Sequence, residues 1–296
     1  MVFQRKRRNA VSSGYTYIFG DNHREQHMKK HASTILLVFI FFVGLSVLLY
    51  PTVSNWWNSR HMTEAIVGYQ EAVADTSEEE KQTILTDAEA YNQRLYDAGN
   101  SLGHNLDGYA SQLNLGGMGI MGYITIQKLG VELPIYHTTN ESVLELGVGH
   151  LEGTSLPVGG ENTHCVLSGH RGLPSAKLFT NLDKMEVGDT FVITVLDRVL
   201  TYQVDDISIV LPTQINDLRI EEGKDYCTLM TCTPYGINTH RLLVRGHRIA
   251  NAESETLHVT SEAQKIEPLL AATVLAVPMF IVLLVWLLIS TRKKRK

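Results

Sequence analysis

Thr228-Leu-Met-Thr-Cys-Thr-Pro-Tyr-Gly-Ile-Asn-Thr-His-Arg-Leu-Leu-Val-Arg-Gly246 reads as a strand, a turn and a returning strand. Its first arm, Asp225–Thr231, is rich in apolar and β-branched residues, as is Leu242–Val244 in the second. Pro, Gly and Asn break the run between them. Cys232 stands where the first arm ends and Arg241 where the second begins. A hairpin-like return would set the guanidinium beside the thiol. A thiol becomes a nucleophile as the thiolate, which a cationic neighbour favours. A guanidinium stays charged and can stabilise an oxyanion.

Working outward, the same pattern recurs upstream. Tyr123–Ile126, Thr163–Ser168, Thr190–Leu196 and Leu200–Ile209 are short, alternating or β-branched, and Gly, Pro, Asn and Asp separate them. Ala176–Met185 suits a short helix. The spacing predicts a mainly β domain over residues 119–250, a mostly antiparallel sheet or barrel. His170 follows one strand in Ser168-Gly-His-Arg171, where an imidazole can serve as acid or base. Cys165 and Cys227 fall inside apolar strand patterns and read as buried thiols packing as small hydrophobes. A disulfide between them stays open, because spacing alone does not place their Cβ atoms.

Other chemistries fit less well. Gly117, Gly119 and Gly122 spell G-x-G-x-x-G, but a dinucleotide site needs a strand before it and a helix after it, and here a polar, Gly-rich stretch precedes it and a strand follows. Cys and His lack zinc-ligand spacing. Neither a cofactor nor a metal is expected. Three cysteines in 296 residues exclude a disulfide scaffold, and a net charge of −5 excludes a generally basic nucleic-acid binder.

That average conceals a partition. Residues 32–50 and 268–290 are apolar and uncharged, each near or above the ~20 residues that cross a bilayer. Arg5, Lys6, Arg7, Arg8, Arg24, Lys29 and Lys30 precede the first, and Arg292, Lys293, Lys294, Arg295 and Lys296 follow the second. The positive-inside rule makes residues 1–31 and 291–296 cytoplasmic tails of the cell membrane, residues 32–50 and 268–290 transmembrane helices, and residues 51–267 external. With 12 of the 26 basic residues in the tails, 14 face 29 acids in the remainder, a net −15. Residues 51–118 are expected to be largely helical and external. Ser77 and Glu80 form a capping-box pattern, Ile84, Ala88, Tyr91 and Leu95 recur at helical spacing, and Gly99 suits a C-terminal cap. Residues 251–267 read as a linker to the second span.

The quoted segment resembles the sortase signature, a T-L-x-T-C motif followed by a strand-opening Arg. Val166-Leu-Ser-Gly-His-Arg-Gly172 is similar to the histidine motif of that family. Thr-Pro-Tyr-Gly-Ile-Asn-Thr-His-Arg, with the C-terminal span, is most similar to class C sortases, the pilin polymerases of Gram-positive bacteria. The resemblance implies an eight-stranded sortase β-barrel with short helices. It also implies Cys232 as nucleophile, His170 as general acid/base and Arg241 as oxyanion stabiliser. The substrates it implies are LPXTG-bearing pilins or surface proteins, with an amine acceptor from a pilin lysine or a peptidoglycan peptide. Alternatives are a housekeeping-type anchoring sortase, a hydrolytic cysteine peptidase and a non-enzymatic adhesive or sensory ectodomain. Many class C sortases also carry an Asp-Pro-aromatic lid over the cysteine. Here Asp107-Gly-Tyr109 is the nearest match, with no Pro, which makes Asp107 and Tyr109 the lid candidates.

Overall fold

The computed structural model describes residues 18–99, 106–214 and 216–251. The second apolar run and both tails before residue 18 and after residue 251 lie outside them. The chain divides into two compact units, Met1–Tyr50 and Pro51–Lys296. Helix α1, Ile18–Asp75, is 58 residues long and contains Pro51, so no helix end falls at the expected boundary. Proline removes one backbone hydrogen bond, and the many turns on either side sustain the helix around that loss. Leu36, Phe39, Ile40, Phe42, Val43, Val47 and Leu48 are all exposed. The helix is long and apolar enough to cross a membrane, with a mean hydropathy of 1.8 in its most apolar stretch.

Helix α2, Glu78–Asp97, begins as the sequence predicts. Ser77 Oγ accepts from Glu80 N at 3.2 Å, and Glu78, Glu79 and Glu80 sit in the first turn, where the helix dipole favours negative charge. Gly99 follows with φ 87°. Leu85, Ala88, Tyr91 and Leu95 bury one face.

Eight strands follow: β1 Ile120–Ile126, β2 Val131–His137, β3 Val148–His150, β4 Thr163–Ser168, β5 Thr190–Val195, β6 Arg198–Val210, β7 Asp225–Thr233 and β8 His240–Ile249. They close into a barrel in the order β1-β2-β3-β4-β7-β8-β6-β5. The expected eight-stranded barrel is therefore present. Most pairs are antiparallel, but β2–β3 and β4–β7 are parallel. Strands β2 and β3 escape the sequence pattern. β3 has only three residues, and Pro134 inside β2 weakens its strand signal. The expected helix at Ala176–Met185 is a series of turns ending in one 3₁₀ turn, Leu182–Lys184. Ala176, Leu178, Phe179, Leu182 and Met185 are buried there, but Leu178 has φ 37°, which an α-helix does not accommodate.

The pleat sorts β7 cleanly. Cys227, Leu229 and Thr231 face the core, and Thr228, Met230 and Cys232 the outer face. Gly122 lies in β1, where a side chain would strike the carbonyl of Thr194 on β5. The glycine-rich approach thus serves strand packing. Helix α2 docks through Asn92, whose Oδ1 accepts from Leu156 N at 2.7 Å and whose Nδ2 donates to Leu156 O at 3.2 Å. Asn92 is buried, so truncation leaves the Leu156 N–H without a partner, while its carbonyl keeps the bond from Val158 N at 2.8 Å. Asn92→Ala is expected to lower unfolding free energy by about 2 kcal/mol, measured by urea denaturation.

Candidate active site

Strands β7 and β8 and the loop that leaves β4 carry the residues singled out by the sequence. Cys232 on β7 pairs directly with Arg241 on β8. The hairpin return therefore brings guanidinium and thiol onto neighbouring strands. On the other side, β4 runs parallel to β7 with Ser168 opposite Met230. Two further bonds carry the same 62-residue offset past the end of β4. Thr231 Oγ1 donates to Gly169 O at 2.7 Å, and Arg171 Nη1 donates to Thr233 Oγ1 at 3.2 Å. Between them stands His170, level with Cys232. The register thus sets the three residues in one row, His170 on the loop leaving β4, Cys232 on β7 and Arg241 on β8. Neighbouring strands lie about 4.8 Å apart. All three side chains are partly exposed.

The turns around this row are closely fitted. Gly169 packs against Phe179, where a methyl group would come within 2.7 Å of the ring. Gly172, at φ +80°, lies under Tyr235, with the same clearance. The loop after His170 therefore touches the loop after Cys232. Arg241 Nη1 donates to the carbonyls of Asn238 and His240 at 3.3 and 3.1 Å. Its Nε and Nη2 have no acceptor among the described residues.

Cys165 and Cys227 pair in register and are buried on the core side. Both thiols are free, and burial pushes that of Cys227 well up. They pack as small hydrophobes, as the sequence suggests. No cluster of three or more metal-ligating side chains occurs among the described residues.

Tyr109 is not placed as a lid. It is buried, its hydroxyl bonds His150 Nδ1 at 2.9 Å and accepts from Thr138 N at 3.1 Å, and its ring stacks on His150. His150 pairs with Leu167, a core-facing residue of β4. Tyr109 therefore packs on the face of the sheet opposite Cys232. Burial pushes its phenol well above the ordinary range. Asp107 is exposed in the turn before it. Lacking the proline, Asp107-Gly108 turns the chain at φ 89° and delivers the tyrosine inward.

The sequence reading also missed a covered apolar cluster beside the row. Val166, Met230, Leu243 and Val210 come from β4, β7, β8 and β6 on the Cys232 face, and Leu218 and Leu151 cover them. Only the strand pairing brings these six residues together. Leu218 belongs to the β6–β7 connection, which His164 fastens. His164 Nδ1 bonds Arg219 O at 2.8 Å and its Nε2 bonds Thr228 Oγ1 at 2.7 Å.

The sequence of residues 124–249 matches the sortase domain model. The fold is similar to that of sortase C1 from Streptococcus agalactiae, with 50% identity and a TM-score of 0.62 over 64% of this chain and 100% of that one. The chain belongs to the sortase family. Its members are cysteine transpeptidases. A sortase C from Streptococcus pneumoniae is also similar, at 45% identity and a TM-score of 0.58 over 64% of this chain and 97% of that one. Sortase D of Bacillus subtilis is 30% identical over 43% of this chain, a match spanning 63% of its own length. Both structural neighbours are sortases of class C.

His164 supplies a pH test of this sortase. Burial, aided by nearby Arg245, pulls its imidazole below the ordinary 6.5, while the bond to Arg219 opposes the shift. The unfolded chain therefore takes up the proton more readily than the folded one. Stability is complete above about 6.5 and falls as pH drops from there toward the folded value. His164→Gln should flatten the decline in urea midpoint between pH 7.5 and 5.5. Equal slopes in the two proteins would refute the assignment.

Proposed function

We propose that this sortase is a membrane-anchored transpeptidase that joins LPXTG-bearing pilins through an amine, by resemblance a pilin lysine. The observation that carries the reading is the row His170–Cys232–Arg241. The Cys232 thiolate attacks the carbonyl carbon of the motif threonine, forming a C–S bond. Arg241 stabilises the oxyanion with its uncommitted N–H groups. The bond to the glycine nitrogen breaks as protonated His170 delivers a proton to it. The acceptor amine then attacks the thioester, His170 takes up its proton, and the thiolate departs. One amide replaces another through a covalent intermediate.

The S. pneumoniae relative is described in connection with pilin substrate specificity. The apolar part of α1 supports a membrane anchor. The second span, the cytoplasmic tails, the external catalytic domain and the 119–250 domain boundary remain part of this proposal.

The full-length protein, incubated with an LPXTG peptide and a lysine-bearing peptide acceptor, should yield a ligated product and a thioacyl adduct visible by mass spectrometry. Cys232→Ala and His170→Ala should each reduce ligation by at least about 10³-fold, and Arg241→Ala by about 10²-fold. Cleaved acid without ligation would favour hydrolysis. Full activity of Cys232→Ala would overturn the mechanism.

A further inference from the structure

The His170 loop is held from outside the barrel. It leaves β4 at Gly169 and folds back so that Phe179 N donates to His170 O at 3.1 Å. Gly172 N donates to Thr180 Oγ1 at 3.1 Å, and Lys177 O accepts from Thr180 N at 2.8 Å. The returning limb therefore fixes the backbone of His170 itself. The far end of the loop, Ser175 to Lys177, rests on helix α1. Asn58 Nδ2 donates to Ser175 O at 2.9 Å, and Asn55 Oδ1 accepts from Lys177 N at 2.8 Å. Asn55 and Asn58 are three residues apart and so share one helix face. Between their two partners lies Ala176, buried.

The two amides do opposite jobs. One accepts from a backbone N–H and the other donates to a carbonyl, and together they grip both sides of one residue. A loop held only by its own turns has low local stability. Here a long helix takes up its two tip groups and carries that restraint through Phe179 to His170. Both asparagines lie outside the 124–249 segment that matches the sortase domain.

We propose that Asn55 and Asn58 are positioning residues of this sortase, a helix-borne clasp that holds the His170 loop in the geometry required for proton transfer to and from substrate. The proposal rests on the reading of His170 as general acid/base. A misplacement of about 1 Å can cost about 10²-fold in rate. The clasp bonds only Ser175 and Lys177 and touches neither β7 nor β8, which carry Cys232 and Arg241, so binding is preserved while turnover falls.

The test uses the full-length protein in detergent micelles, an LPXTG peptide and an amine acceptor. Asn55→Ala/Asn58→Ala should lower kcat about 10- to 100-fold, with KM changed less than about twofold, and shift the His170-dependent limb of the kcat–pH profile. Aspartate substitutions separate the clasp from general packing. Asn55→Asp keeps the acceptor for Lys177 N and should recover most of the turnover that Asn55→Ala loses. Asn58→Asp replaces a donor with an acceptor facing Ser175 O and should be at least as slow as Asn58→Ala. These two single variants decide the matter should the double variant fail to fold. The clasp is overturned if the double alanine variant turns over like wild type, or if the two aspartate variants behave alike. His170→Ala is the control. Wild-type turnover there removes the general acid/base reading and the clasp with it, whereas an inactive His170→Ala beside a normal double variant removes only the clasp.

Discussion

Thr231 donates to the carbonyl of Gly169, and through that bond the pairing of β4 with β7 continues past the last residue of β4. The rest of the site depends on this register. Arg171, reaching Thr233, repeats the offset two residues on, so His170 is bracketed level with Cys232. The antiparallel return of β8 supplies Arg241 from the other side. A slip of one residue in either pairing would turn an entire strand over and send its reactive side chain to the wrong face.

The same pleat gives one strand two kinds of cysteine. Cys227 and Cys232 are an odd number of residues apart on β7, so they face opposite sides of the sheet. Cys227 meets Cys165 in the dry interior, where burial keeps its thiol protonated. Cys232 is partly exposed on the outer face, cross-strand from Arg241. Closure of the barrel makes this economical. With every strand paired on both sides, no sheet edge competes for pairing near the reactive face.

Much of the fold was legible because alternation and turn residues are local signals. Six strands showed themselves in this way, and Ser77, Glu80 and Gly99 marked the ends of α2. Three-residue β3 and proline-bearing β2 carried too little pattern to register. Around Ala176 apolar spacing suggested a helix, but the positive φ of Leu178 and the hydrogen bonds of the loop prevailed. At the site, Cys232, His170 and Arg241 stood out because each lies at a strand end and bears unusual chemistry. The covered apolar cluster and the asparagines of α1 did not, because only tertiary packing brings them to their partners. Tyr109 misled for the same reason. An aromatic residue after a glycine turn looks alike in sequence whether it faces inward or outward.

The 62-residue offset between β4 and β7 also bears on time. Cys232 meets Arg241 as soon as one hairpin forms, but it meets His170 only after the intervening chain, with β5 and β6, has been enclosed. Parallel pairings of such separation pay their loop-closure entropy before any contact rewards it. His170 therefore reaches Cys232 late, after the sheet has largely assembled. Until then the emerging polypeptide carries Cys232 with no His170 level with it, and the row is completed together with the finished barrel.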